Sequence, residues 1–126
     1  MSLTTYRNNE NRLNAQIADL VKKQALESKK EMDLKSKIID LSKRKSTSKV
    51  VSTIQSLERQ IDTKSKELSK VQLKIADIVK KLADKRNEHS KNRVNLERAL
   101  DNEAKKRRSE EIKHLKEKEK IHVSEL

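Results

Sequence analysis

The chain has 126 residues, with 32 Lys+Arg against 20 Asp+Glu for a formal net charge of +12. It contains no Gly, Pro, Cys, Trp or Phe and a single Tyr. Turns lean on Gly and Pro, whose ordinary usage is about 7% and 5%. Sheet proteins, mixed α/β enzymes and compact multi-turn bundles are therefore excluded, and long helix or a disordered charged chain remains.

The first ten residues, Met1 to Glu10, hold no apolar core of the kind a secretory signal needs. No apolar run approaches the roughly 18 residues of a membrane helix, and without Cys there is no disulfide or thiolate metal site. A cytoplasmic location is the expectation. From Leu3 onward a heptad series begins, with Leu3, Glu10, Ile17, Gln24, Glu31 and Ile38 at a, and Tyr6, Leu13, Leu20, Glu27, Leu34 and Leu41 at d. It predicts a first helical arm over about 3–45.

The segment Ser42 to Lys49 interrupts the pattern, and its Ser46-Thr47-Ser48 cluster has turn and N-cap chemistry. One unbroken helix is the competing reading, because Ser and Thr disfavour helix only mildly. A second series then follows over about 50–92, with Ile54, Ile61, Leu68, Ile75, Leu82 and His89 at a, and Leu57, Lys64, Val71, Ile78, Lys85 and Asn92 at d. Sixteen of the 24 seam positions are apolar, which separates this chain from disorder. If the arms fold back antiparallel, pairing residues whose numbers add to 95 sets each a opposite a d. Leu34 then meets Ile61, Leu20 meets Ile75, and Glu31 and Glu10 fall opposite Lys64 and Lys85. His89 faces Tyr6 in a polar end layer. The same sum leaves residues 46–49 as the turn.

Residues 93–126 continue as a charged helical extension, carried by opposite charges at i,i+4 such as Asp101 with Lys105 and Glu103 with Arg107. The last residues, Ile121 to Leu126, turn mildly apolar again without a stop signal. The predicted architecture is all-α: an antiparallel coiled-coil helical hairpin over 1–92, with a long projecting second helix.

Sites of chemistry are scarce. With no Gly or Cys, phosphate loops and zinc fingers are impossible, and the carboxylates lie on faces without an apolar pocket. No catalytic, cofactor or metal residue is expected, and the chain reads as non-enzymatic. Glu110 and His114 share a helix face, but Lys118 between His114 and His122 works against a cation. Two basic clusters stand out, Lys43, Arg44 and Lys45 with Lys49 at the turn, and Lys105, Lys106, Arg107 and Arg108 on the extension. Either could neutralise phosphates, although stacking aromatics are absent apart from Tyr6.

The e positions of both arms share one side of an antiparallel pair and are nearly free of charge. With adjacent b positions they form a patch of Ala18, Val21, Ala25, Ala76 and Val79, extended by Met32, Ile39 and Ala83. On the extension Leu96, Leu100, Ile112 and Leu115 have no partner in the hairpin as paired above. These residues are the candidate surfaces for self-association or for partner helices.

Three stretches, Ser42-Lys-Arg-Lys-Ser-Thr-Ser-Lys49, Ile54-Gln-Ser-Leu-Glu-Arg-Gln-Ile61 and the outlet from Glu103 to Lys120, carry a resemblance. The pattern resembles the N-terminal coiled-coil modules of bacterial multidomain proteins, including TIR-type and other effector proteins of anti-phage defence. The resemblance implies an oligomerisation or scaffolding module of a larger defence-type assembly. The rival expectation, from composition alone, is a basic helical-hairpin arm that binds nucleic acid.

Overall fold

A computed structural model describes the backbone of residues 2–125 and the side chains of residues 2–123; the predicted apolar end of the chain, Leu126, lies outside them. Two helices account for nearly all of it, α1 over Leu3–Thr47 and α2 over Val51–Glu125. They pack against each other as a helical hairpin, with no strand among the described residues.

Helix α1 starts at Ser2, whose Oγ accepts from the Thr5 amide at 3.2 Å, an N-cap bond to one of the orphan donors of the first turn. It ends without a left-handed residue, since none of the described residues has positive φ. The last carbonyls are instead met by side chains: Ser46 Oγ donates to the Lys43 carbonyl at 2.8 Å, and Thr47 Oγ1 donates to the carbonyls of Lys43 and Arg44. Two of the three hydroxyls expected to cap the second helix thus terminate the first. Ser48 alone serves the next element, its Oγ accepting from the Val50 amide at 3.3 Å. The turn is residues 48–50, two residues later at its start than predicted.

All 24 predicted seam positions are buried or half-buried, and Leu13 is the most enclosed at 2% exposure. Their partners differ from the expectation. The chain forms two compact units, Ala15–Arg86 and Met1–Asn14 with Asn87–Leu126. Within Ala15–Arg86, Lys45 pairs with Glu58 at 3.2 Å, numbers that add to 103. In the same unit Leu34 lines a shallow groove with Glu67 and Val71, and Ile78 lines another with Leu26 and Glu27. In the other unit, Asn92 Nδ2 donates to the Tyr6 carbonyl at 2.9 Å and Arg93 to Glu10 at 2.9 Å, numbers that add to 98 and 103.

The register is therefore the sum near 102, one heptad from the expected 95. In that register Leu34 falls opposite Leu68 rather than Ile61, and Leu20 opposite Leu82 rather than Ile75. Glu31 pairs within its own helix with Lys35, and Lys64 with Glu67, so the two do not meet. Glu10 takes Arg93, with His89 at 3.8 Å, so His89 faces Glu10 rather than Tyr6. The reason is periodicity: sliding one arm by seven residues restores every a-to-d match. The observed register extends the seam at both ends, so Lys45 and Ser48 become half-buried near the turn. Beyond Asn92, Leu96 is buried and Ala99 and Glu103 half-buried, so pairing does not stop at residue 92.

Candidate functional site

The register decides what the uncharged flank looks like. Five positions of α1 at alternating b and e, namely Ala18, Val21, Ala25, Ser28 and Met32, carry no charge. Their counterparts on α2 are Ser69, Gln72, Ala76, Val79 and Ala83, also uncharged. At a sum near 102 these stretches run side by side. Ala18 stands beside Ala83, Val21 beside Val79, and Ala25 beside Ala76. The expected sum of 95 also gives an uncharged strip, with Ala18 beside Ala76, Val21 beside Gln72 and Asn14 beside Val79. The observed register changes which of these residues are neighbours.

Val21 and Val79 are 42% and 47% exposed, and of the ten positions only Ser28 is half-buried. The strip covers 15 residues of each helix, a length of about 22 Å at 1.5 Å per residue, on a chain that is 41% charged. At the f positions beyond it lie Lys22 and Lys29 on α1, and Lys66, the exposed Leu73 and Lys80 on α2. The strip thus has an uncharged centre with lysines, and one exposed leucine, along its edges.

The four candidate residues on the extension separate into two kinds. Leu96 is buried at 8% exposure, so it belongs to the hairpin seam and not to an unpartnered surface. It continues the a series from His89, and Ala99 continues the d series from Asn92, a signal present in the sequence beyond the counted stretch. Leu100, Ile112 and Leu115 are exposed, as is every described side chain from Ala104 to Val123.

The basic clusters are also placed. Lys43, Arg44 and Lys49 are exposed around the turn, while Lys45 is half-buried and tied to Glu58. On the extension Lys105 pairs with Asp101 at 3.2 Å and Arg107 with Glu103 at 3.4 Å, and Lys106 and Arg108 point to solvent. Residues 15–86 hold 19 Lys+Arg against 10 Asp+Glu, net +9 of the total +12.

One polar cluster escaped sequence reasoning. Asn92 is buried at 8% exposure and bonded to Tyr6, and Arg93 holds the part-buried Glu10. An Asn at a d position is a register marker in coiled coils, but its partner depends on the register itself. Glu110 and His114 lie on the exposed stretch, and no group of three His, Asp or Glu among the described residues could hold a metal ion. No helix among them is long and apolar enough to cross a membrane.

No family model, curated protein or solved structure matches the chain.

Proposed function

We propose that this chain is a non-enzymatic coiled-coil module for oligomerisation or scaffolding, using the uncharged flank to pack against a second copy or a partner helix. The observation that carries the reading is the alignment of Ala18–Met32 with Ser69–Ala83 into one exposed strip. Surface area supports it as well. The chain exposes 10092 Å², against about 6,900 Å² for a compact monomer of its mass. The surplus of about 3,000 Å² exceeds a standard interface of about 1,600 Å². The resemblance to N-terminal modules of bacterial effector proteins gives this reading a context, in which the coil gathers copies of an attached domain.

Sedimentation velocity over a concentration series tests it. Copies that each carry +12 repel at long range, so self-association should strengthen as salt rises from 50 to 500 mM. Val21→Glu with Val79→Lys keeps the net charge constant and should weaken assembly about tenfold or more. A helical monomer persisting to high micromolar concentration in all salts refutes the homo-oligomer.

The charge of residues 15–86 favours a second reading, a basic hairpin that binds nucleic acid through Lys43, Arg44 and Lys49. The two readings respond to salt with opposite sign. Binding dominated by phosphate contacts falls steeply between 50 and 200 mM salt, which a gel shift with a random oligonucleotide would read.

A further inference from the structure

The contacts hold one register, yet the sequence carries the marks of a second. At a sum of 95, six layers would be apolar on both sides: 41/54, 38/57, 34/61, 20/75, 17/78 and 13/82. At the observed sum near 102 there are five: 41/61, 34/68, 20/82, 6/96 and 3/99. The observed register compensates in number, with ten layers within Ala15–Arg86 (48/54 to 17/85) and four within the other unit (13/89 to 3/99), against 12 from 41/54 to 3/92. It also gains cross-arm polar contacts: Lys45–Glu58, Glu10 with Arg93 and with His89 at 3.8 Å, and Asn92 with the Tyr6 carbonyl.

Those gains are offset by unmet features. The Glu31–Lys64 match, which the other register would form inside the seam, is unused, each residue pairing within its own helix. Gln16 Oε1 and Glu27 Oε2 are buried with no hydrogen-bond partner. The pairs made by Lys45 and Arg93 involve an exposed or half-exposed cation, which water and salt weaken. Neither register has a decisive advantage, and a helical turn moving past another as a unit is an established kind of two-state transition.

We infer that the hairpin is a register switch: α2 slides along α1 by one heptad, about 10.5 Å, between the observed pairing and the pairing at a sum of 95. The slide shifts the turn from residues 48–50 to 46–49. It withdraws the cover that Tyr6 and Leu3 give to Leu96 and Ala99. It also re-pairs the uncharged flank, setting Ala18 beside Ala76 instead of Ala83 and Val79 beside Asn14 instead of Val21. A ligand that binds the turn or the Asn92 layer in one register alone biases the exposure of Leu96 and the shape of the flank by its differential affinity.

The described chain contains no cysteine, so engineered pairs report arm pairing cleanly. In the full chain, Leu20→Cys with Leu82→Cys reads the observed register, and Leu20→Cys with Ile75→Cys reads the slid one. Under mild oxidation both should give a disulfide within one chain, the second about tenfold to a hundredfold more slowly, as for a minor state. Replacing Lys45, Asn92 and Arg93 by Ala should speed the 20–75 disulfide severalfold. Glu31→Lys should slow it by setting like charges against Lys64, and adding Lys64→Glu should restore it, with the 20–82 rate unmoved. A 20–75 rate that ignores these charge reversals reports transient unfolding and overturns the switch. A 20–75 disulfide that never forms in the Lys45, Asn92 and Arg93 variant, or that joins two chains, overturns it as well. The assay reads pairing inside one chain, so it stands apart from whether the flank associates.

Discussion

At the scale of single residues, Asn92 has a role out of proportion to its size. A buried amide on the apolar seam is costly unless paired, and here it gives its Nδ2 hydrogen to the Tyr6 carbonyl. Asn92→Ala removes the donor and leaves that carbonyl without this partner. The expected loss is about 1–2 kcal/mol, read in urea as a lower midpoint at unchanged slope. An unchanged midpoint would mean that water satisfies both groups equally well. The sequence put Asn92 on the seam but could not name its partner, because the pattern admits Leu3 or Glu10 opposite it and says nothing of the Tyr6 backbone carbonyl it bonds. Leu96 shows the same limit from the apolar side. Its place in the a series was visible, and its cover was not, since cover depends on how far the opposite arm reaches.

At the scale of elements, the turn is unusual in having neither Gly nor a residue with positive φ. Roughly a third to a half of helices end on a left-handed residue. Here the Ser46 and Thr47 hydroxyls take over the last carbonyls of α1, and Ser48 holds the amide of Val50. The stop signal is thus chemical rather than conformational, and it is weak. Replacing Ser46, Thr47 and Ser48 together by Ala removes these bonds and favours helix straight through the turn. The expected outcome is an opened chain whose arms pair with those of a second molecule, a swapped dimer, seen as doubled mass in light scattering. A variant that remains folded back on itself would show that seam packing alone sets the reversal. The helices and their reversal were legible beforehand, because heptad period and a hydroxyl cluster are local signals. Which helix the hydroxyls serve was not, because Ser and Thr can cap either end.

At the scale of the whole molecule, charge decides the response to solvent. Residues 15–86 carry a net +9, and the i,i+4 pairs such as Lys23–Asp19 and Lys81–Asp77 are exposed, each contributing only about 0.3–0.5 kcal/mol. Raising salt from 20 to 500 mM shortens the screening length from about 20 Å to about 4 Å. Repulsion among the excess cations weakens more than those pairs do, so Tm should rise by about 5 °C in a thermal melt followed at 222 nm. A Tm that falls with salt would put the exposed pairs in control. Fold class was legible in composition and period, whereas register was not, since a slide of seven leaves the seam pattern intact and only contacts at its ends tell the difference. That degeneracy also constrains how the gene can drift. Losing or gaining three or four residues in one arm throws half its seam positions to the outside, whereas seven in one arm alone slides the pairing and strands the far end. Viable length variants should therefore come in matched steps of seven in both arms, and a one-arm heptad deletion should be rescued by deleting the facing heptad in the other.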